Sequence, residues 1–384
     1  MRIVISNASS KWGGVHTVTE ALARGLTDRG HEITVFGYPG GMLEERMKSI
    51  VSFEPILKGM DMHPLTMSHA VRALRKHRAD VVLTMMKKDV RLTGPAAKAL
   101  GIPVVVCHAN DRALRGTLYD RIFFGMLPAH HIVNSTATRN TLLSSARWID
   151  RAKVSVVYNG IDPRPFEEAR PTDLELPANA FVFGFVGRLE VRKGLIDLVT
   201  AWSKVSSALP GAWLVIAGKG ADEQQARDVL AGATNVKWLG YRADVPEVLA
   251  SFDVLVTPSH WEGFGLVAAE GLAARVPVVA TRASSLPEII DDRVTGRLVP
   301  PHDPESLADA LIEAAGNRAA NLRMVEAGVS KVRCDFSLER MIERYEGVLT
   351  TAAKNGGHSA NFAQISNAIA AISGIWASFG IDLC

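Results

Sequence analysis

The stretch Glu262-Gly-Phe-Gly-Leu-Val-Ala-Ala-Glu270 places two carboxylates eight positions apart, around a glycine turn. The apolar run at 252–259 predicts a buried parallel strand, and residues 266–274 predict the helix that follows. The turn therefore lies at the carboxyl end of a strand, where open α/β sheets bind ligands. Amide groups at the start of such a helix lack intrahelical partners and favour an anion such as a diphosphate.

The two glutamates have distinct positions in this pattern. Glu270 follows Leu266 by four residues, so both lie on one helix face, where an ionised carboxylate can accept hydrogen bonds from two ribose hydroxyls. Glu262, in the turn, can reach a sugar. Either glutamate alone is most often a solvated surface residue, but the glycines between them favour a sugar-nucleotide site.

A second phosphate-facing segment is Gly187-Arg-Leu-Glu-Val-Arg-Lys-Gly194. Arg188 can donate two hydrogen bonds to phosphate oxygens, and Lys193 adds a mobile point charge before a helix that begins near Gly194. Alone, this segment is more often a loop and a helix start. Its position after the strand that opens the second half favours neutralisation of a diphosphate.

The first half contributes Gly13, Gly14 and His108. The two glycines join the first predicted strand to the first helix and let the backbone approach a ligand. Their spacing is not Gly-x-Gly-x-x-Gly, which disfavours a nicotinamide or flavin dinucleotide. His108 follows the strand predicted at 103–107. A lone histidine there is usually a structural hydrogen-bonding residue, but this location favours contact with a sugar.

No cofactor and no metal ligand are predicted. No other histidine falls at ligand spacing with His108, because His130 and His131 are adjacent and open another strand. The chain has no Asp-x-Asp motif, so a metal-bridged diphosphate is unsupported. We expect Arg188, Lys193 and a helix N-terminus to take the place of the metal.

Composition indicates an ordinary globular protein, since 47% of the 384 residues are hydrophobic and 22% are charged. The length suggests about two domains of ~150 residues each. Cys107, Cys334 and Cys384 are too few for a disulfide framework, so a cytoplasmic location is expected, with Cys107 in a buried strand. The chain start shows no export signal, and no apolar run is long enough to span a membrane.

Charge is uneven along the chain. Residues 1–170 carry 24 Lys and Arg against 15 Asp and Glu, a net +9, whereas residues 171–384 carry the other 19 against 25, a net −6. One interpretation of the basic half is a solvated face. The other is attraction to an anionic acceptor or to an anionic surface on the inner face of the membrane. Nucleic acid is not an expected partner, because no recognised binding motif accompanies these charges.

Two similar α/β halves are predicted, because apolar β-branched runs alternate with helical patterns and the alternation restarts near residue 181. Proline and turn residues at 159–180 predict a linker between doubly wound parallel sheets. The predicted strands are 3–6, 32–36, 81–84, 103–107, 131–134, 181–186, 213–217, 236–239, 253–257 and 277–281, and the predicted helices are 15–29, 68–77, 194–207, 224–230, 266–274 and 304–315.

Taken together, these motifs in this order resemble the retaining GT-B glycosyltransferases of family four, over about residues 1–353. The resemblance implies two Rossmann-like doubly wound parallel-sheet domains that face each other across a cleft. The implied divisions are an N-terminal acceptor-binding domain at 1–158, a linker at 159–180, a C-terminal nucleotide-sugar-binding domain at 181–336, and a closing helix at 337–353 that packs back on the N-terminal domain.

The resemblance also implies a role for each matching residue. Glu262 would hold hydroxyls of the donor sugar, His108 would touch the sugar near its sixth carbon, and Arg188 and Lys193 would stabilise charge on the departing nucleoside diphosphate. Glu270 would bind the ribose. The remaining donor-binding residues would contribute backbone groups: Gly13, Gly14, Gly187, Phe264, Gly265, Leu266 and Val267.

The implied reaction is metal-independent, retaining transfer of a hexose from a nucleoside-diphosphate sugar to a hydroxyl acceptor. Acceptors of this kind are glycolipid, lipopolysaccharide or polysaccharide precursors of the cell envelope. A nucleotide-sugar epimerase of the same architecture would need acid and base residues beside the anomeric carbon. A non-catalytic nucleotide-sugar-binding protein would lack some of the polar site positions, and a dehydrogenase would need the missing dinucleotide fingerprint.

The tail, residues 354–384, departs from the family pattern. From Asn355 to Ile381 it has no acidic or basic residue apart from His358, and its apolar residues recur at near-helical spacing. One interpretation is an in-plane membrane helix that brings the enzyme to a lipid acceptor. The others are a helix packed on the core and a disordered end.

Overall fold

The computed structural model describes residues 1–10, 12–58 and 64–356, which form two compact units. The first unit contains Met1–Val133, Thr141–Ser155 and the described residues from Ile342 onward. The second contains Asn134–Asn140 and Val156–Met341. The interpretations of the apolar tail fall on residues outside the described part of the chain.

A seven-stranded sheet organises the first unit. Its strands are β1 (Arg2–Asn7), β2 (Glu32–Gly37), β3 (Ser52–Glu54), β4 (Val81–Thr84), β5 (Val104–His108), β6 (His130–Val133) and β7 (Val154–Val156). Their order across the sheet is β3-β2-β1-β4-β5-β6-β7, and β1 to β6 pair in parallel. The order reverses direction at β1, as in a doubly wound sheet.

Helices follow most of these strands along the chain. They are α1 (Gly14–Asp28), α2 (Met42–Met47), α3 (Pro64–Lys76), α4 (Lys87–Leu92), α5 (Gly94–Ala99), α6 (Leu118–Arg121) and α7 (Thr136–Ser145), with a π-helical turn at Ile122–Met126. Cys107 is buried in β5 as predicted, and its sulfur lies 3.3 Å from the Tyr345 hydroxyl.

A six-stranded parallel sheet organises the second unit. Its strands are β8 (Phe181–Val186), β9 (Ala212–Ala217), β10 (Val236–Gly240), β11 (Val254–Thr257), β12 (Val278–Thr281) and β13 (Arg297–Val299), in the order β10-β9-β8-β11-β12-β13. Both faces are buried, because Val254 and Val256 join one apolar cluster while Leu255 joins the other. A parallel sheet covered on both faces explains why its strands are continuous apolar runs.

The remaining helices are α8 (Arg164–Glu168), α9 (Leu195–Ala208), α10 (Glu223–Val229), α11 (Val245–Ala250), α12 (Leu266–Ala273), α13 (Leu286–Ile289), α14 (Pro304–Gly316), α15 (Arg318–Asp335) and α16 (Leu338–Asn355). Among the helices of the described ranges, none combines the length and the apolar composition that crossing a membrane requires.

The predicted doubly wound organisation of each half is confirmed. All ten predicted strands are present, with each end within one residue of its predicted position. Three strands were not predicted: β3, β7 and β13 have three residues each, too few to show a hydrophobic period. Helix α3 begins at Pro64, four residues before its predicted start.

Gly194 connects the second-unit fold to its site. Its φ of +68° lies in the left-handed region, and a Cβ placed there would lie 1.8 Å from the Pro258 carbonyl oxygen. Only glycine permits this approach of the start of α9 to the segment after β11. The backbone therefore holds the two site segments of this unit in contact.

Candidate active site

The carboxyl edge of the second-unit sheet brings Lys193 and Glu262 together. The chain between β8 and α9 supplies the lysine, and the chain between β11 and α12 supplies the glutamate. The Lys193 ammonium donates a hydrogen bond to Glu262 Oε1, and Ser259 Oγ donates to the same oxygen at 2.8 Å. Their side chains are only 18% and 12% exposed, respectively, so the pair is shielded from most of the solvent.

The glycine turn holds its shape through backbone geometry and one serine. Gly265, just before α12, has a φ of +98°, and a Cβ there would come within 2.9 Å of the Leu286 side chain. Ser285 Oγ donates to the Phe264 carbonyl oxygen at 2.7 Å. The Phe264 ring is buried and packs edge-on against Phe336, so only the backbone of Phe264 faces the turn.

The start of α12 leaves two backbone donors without partners. The N–H groups of Ala268 and Ala269 donate to the Gly265 carbonyl oxygen. Within the described residues, the N–H groups of Leu266 and Val267 donate to no protein group. Unpaired amides at a helix N-terminus favour an anion, because they combine hydrogen-bond donors with the positive end of the helix dipole.

Glu270 projects from the first turns of the same helix. Burial raises the pKa of its carboxyl to about 7, although the nearby positive charge of Lys193 lowers it. No side chain of the described chain forms a hydrogen bond with this carboxylate. A half-buried carboxylate without a protein donor has unused hydrogen-bonding capacity.

Arg188 pairs with a different carboxylate from the one that Lys193 contacts. Its side chain is 59% exposed, and its guanidinium donates to Glu190 Oε1 at 2.9 Å. A Cβ placed on Gly218 would lie 1.8 Å from the Gly187 carbonyl oxygen. The loop after β8 and the loop after β9 are therefore in backbone contact. Sequence reasoning missed this second loop, Gly218-Lys219-Gly220, although its glycines follow an apolar strand.

In the first unit, Gly13 precedes α1 and Gly14 is its first residue. The backbone at Gly13 is extended, with a φ of 175°, and no atom lies within 4 Å of a Cβ placed there. Neither backbone conformation nor packing against the described residues therefore requires glycine at this position.

His108 is the last residue of β5 rather than the first residue after it, and it is buried. Its Nε2 lies 3.0 Å from His131 Nδ1. Burial, assisted by the charge of Lys87, lowers the pKa of His108 to about 3, so its ring is neutral. Sequence reasoning missed His131, because its contact with His108 depends on the register between β5 and β6. This register places Val106 opposite His131 and makes His131 a diagonal neighbour of His108.

One group of side chains in the described ranges has the composition and spacing to hold a metal ion: Asp197, His260 and His302. The three residues lie at the start of α9, in the segment after β11 and in the loop between β13 and α14. They are separated by 63 and 42 residues in the chain, so no spacing motif in the sequence indicates them.

Two family models match the chain in succession. "Glycosyltransferase Family 4" matches residues 12–164, and "Glycosyl transferases group 1" matches residues 166–331. A phosphatidyl-myo-inositol mannosyltransferase from Mycobacterium leprae is 35% identical over 362 residues, which cover 89% of this chain and 95% of that relative. The chain belongs to glycosyltransferase family 4. The predicted resemblance to the glycosyltransferases of family four is thereby confirmed.

Other relatives of this family-4 glycosyltransferase match over shorter lengths. A glycogen synthase from Mycobacterium tuberculosis is 31% identical over 233 residues, which are 59% of this chain, and the match spans only about half, 55%, of that relative. The UDP-Gal:alpha-D-GlcNAc-diphosphoundecaprenol alpha-1,3-galactosyltransferase of Escherichia coli is 25% identical, over 71% of this chain and 76% of its own.

Solved structures show the same fold. A glycosyltransferase from Rickettsia africae superposes with a TM-score of 0.81 at 20% identity, covering 92% of this chain and 99% of that one. The Anabaena protein HepE in complex with UDP-glucose superposes with a TM-score of 0.78 at 20% identity, covering 91% and 100%. These similarities confirm the predicted GT-B fold of the family-4 glycosyltransferase.

The raised pKa of Glu270 makes the stability of the fold depend on pH. Its carboxyl ionises near pH 4.5 in the unfolded chain but only near pH 7 in the fold, so stability is lost as pH rises between these values. The full difference corresponds to about 3 kcal/mol. Glu270→Gln should therefore be more stable than the parent at pH 8, by up to about 3 kcal/mol, and equal to it near pH 4.

Urea unfolding at both pH values measures this difference. Glu326→Gln is the matched control, because the Glu326 side chain is 69% exposed and its ion pair with Arg275 lies at the surface. A Glu270→Gln variant whose advantage at pH 8 does not exceed that of the control would show that the carboxyl is not desolvated.

Proposed function

We propose that this family-4 glycosyltransferase transfers a hexose from a nucleoside-diphosphate sugar to a hydroxyl of a glycolipid, lipopolysaccharide or polysaccharide precursor, with retention and without a metal. The observation that carries the proposal is the shielded Lys193–Glu262 pair beside the unpaired amides that begin α12. Relatives named for a phosphatidyl-inositol and a diphosphoundecaprenol acceptor support the acceptor class. The UDP-glucose complex of HepE supports the donor class.

The donor is held by groups that have no partner within the described part of the chain, or that can exchange their partner for a donor atom. The Leu266 and Val267 amides bind the diphosphate, and the Glu270 carboxylate accepts hydrogen bonds from two ribose hydroxyls. Glu262 keeps one oxygen on Lys193 and Ser259 and offers the other to a sugar hydroxyl. These contacts complete hydrogen bonds that the protein alone leaves unmade.

The chemistry relies on positive charge at the leaving group. The acceptor oxygen bonds to the anomeric carbon on the face from which the diphosphate departs, and the bond to the phosphate oxygen breaks. The acceptor proton passes to the leaving phosphate, so no protein carboxylate has to act as base. Lys193, together with Arg188 once a phosphate displaces Glu190, stabilises the charge that develops on the diphosphate.

In this proposal, residues of the first unit also contact the donor and the acceptor. Gly13 and Gly14 offer backbone that a ligand can approach closely, and open space surrounds Gly13 among the described residues. Neutral His108 contributes a hydrogen bond to the sugar rather than a proton. The net +9 of residues 1–170 suits an anionic acceptor or the inner face of an anionic membrane, where the enzyme would act as a peripheral cytoplasmic protein.

A radiolabelled transfer assay tests the function. Nucleoside-diphosphate sugars are offered with and without a lipid-linked acceptor, in buffer lacking Mg²⁺ and Mn²⁺. We expect labelled product only with acceptor, and the same anomeric configuration in product and donor by NMR. Epimerised donor without acceptor, or binding without turnover for every donor and acceptor offered, would contradict the proposal. A strict requirement for Mg²⁺ would overturn its metal-free part.

A substitution at Lys193 tests whether its positive charge contributes to catalysis. Lys193→Met keeps the aliphatic stem and removes the charge, so kcat should fall by ~10²–10³ while KM for the donor changes much less, as for loss of one transition-state contact. Lys204→Met is the matched control, since Lys204 lies on α9 and pairs at the surface with Glu305 and Asp309. A Lys193→Met enzyme as fast as the control would remove Lys193 from the mechanism.

A further inference from the structure

Two histidines and an aspartate of the second unit meet outside the donor contacts described above. His260 Nε2 lies 2.7 Å from Asp197 Oδ2, and the rings of His260 and His302 face each other with centroids 3.7 Å apart and planes 38° apart. One ligand atom from each of the three residues lies within 4.8 Å of the other two. From this juxtaposition we propose that Asp197, His260 and His302 bind one Zn²⁺-like divalent cation.

The donor set favours a borderline transition metal. Two imidazole nitrogens and one carboxylate oxygen form a three-residue set that proteins use for zinc, with a fourth position left to water. Bonds of about 2.0–2.1 Å in a tetrahedron place ligand atoms about 3.3 Å apart, so the 2.7 Å contact between Asp197 and His260 opens by about 0.6 Å to admit the cation. Binding through Nε2 requires the His260 tautomer that carries its proton on Nδ1.

His302 distinguishes this cluster from an ordinary histidine–carboxylate pair. His77 hydrogen-bonds Glu54, and His31 hydrogen-bonds Glu346, and no second imidazole of the described residues contacts either ring. The His302 ring instead lies tilted against the His260 ring, and His302 forms no hydrogen bond to any group in the described ranges. The φ of His302 is +59°, in the left-handed region that favours glycine. Glycine would be less strained at this position, yet the chain carries an exposed imidazole there.

The position of the cluster gives the cation a structural consequence. The His260 N–H donates to the Arg192 carbonyl oxygen at 2.9 Å, and His260 precedes Glu262 by two residues. A bound cation would therefore cross-link the start of α9, the segment that carries Glu262 and the loop before α14. It is not placed on the diphosphate, so the inference is independent of metal-free transfer.

Zinc titration of the untagged protein, with a chromophoric chelator as competitor, tests the site. The full chain should bind one Zn²⁺, and Zn²⁺ should raise its Tm. His302→Gly removes a ligand while suiting the left-handed backbone, so it should fold and lose affinity by more than the ~10–100-fold that loss of an outer partner costs. Asp197→Asn should also weaken binding.

Ser284→Gly is the matched control, because Ser284 has a φ of +47° and supplies no metal ligand. It should keep the parental zinc affinity. Absence of a tightly bound equivalent in the parent would overturn the proposal. So would a His302→Gly variant that binds Zn²⁺ as tightly as the parent and Ser284→Gly, because the cation would then lie elsewhere.

Discussion

The contact between Lys193 and Glu262 is the constraint on which the second-unit site depends. Two opposite charges removed from most of the solvent are costly unless they stay paired, so each fixes the position of the other. The backbone enforces the pairing, since Gly194 admits the Pro258 carbonyl and His260 donates to Arg192. The lysine and the glutamate are thus oriented before any donor arrives, which is the preorganisation that the proposed electrostatic catalysis requires.

The candidate site lowers the stability of the fold at Glu270 and at the start of α12. Burial raises the pKa of the Glu270 carboxyl to about 7, and the Leu266 and Val267 amides have no partner among the described residues. A fold selected for stability alone would not retain these features. In the proposed donor complex, a nucleotide supplies ribose hydroxyls to Glu270 and phosphate oxygens to the two amides, and both features become favourable. Ligand binding and local stability are therefore opposed in this segment, as is common at functional sites.

The sequence predicted the sheets better than the side-chain contacts. Long apolar runs such as β8 and β11 show a clear pattern because both faces are buried, whereas β13 has three residues and no period. The glycine turn and Glu270 were found because a strand end and a helix start are local signals. The neighbours His131, Gly218 and His302 were missed, because sheet register and loop packing bring them to their sites from distant parts of the chain.

A crystal structure of the protein with UDP tests the central claim most directly. The account predicts diphosphate oxygens within hydrogen-bond distance of the Leu266 and Val267 amides, a phosphate oxygen near Lys193 Nζ, and both ribose hydroxyls on the Glu270 carboxylate. An ordered nucleotide bound elsewhere on the chain, with these amides and Glu270 still without a ligand, would contradict it.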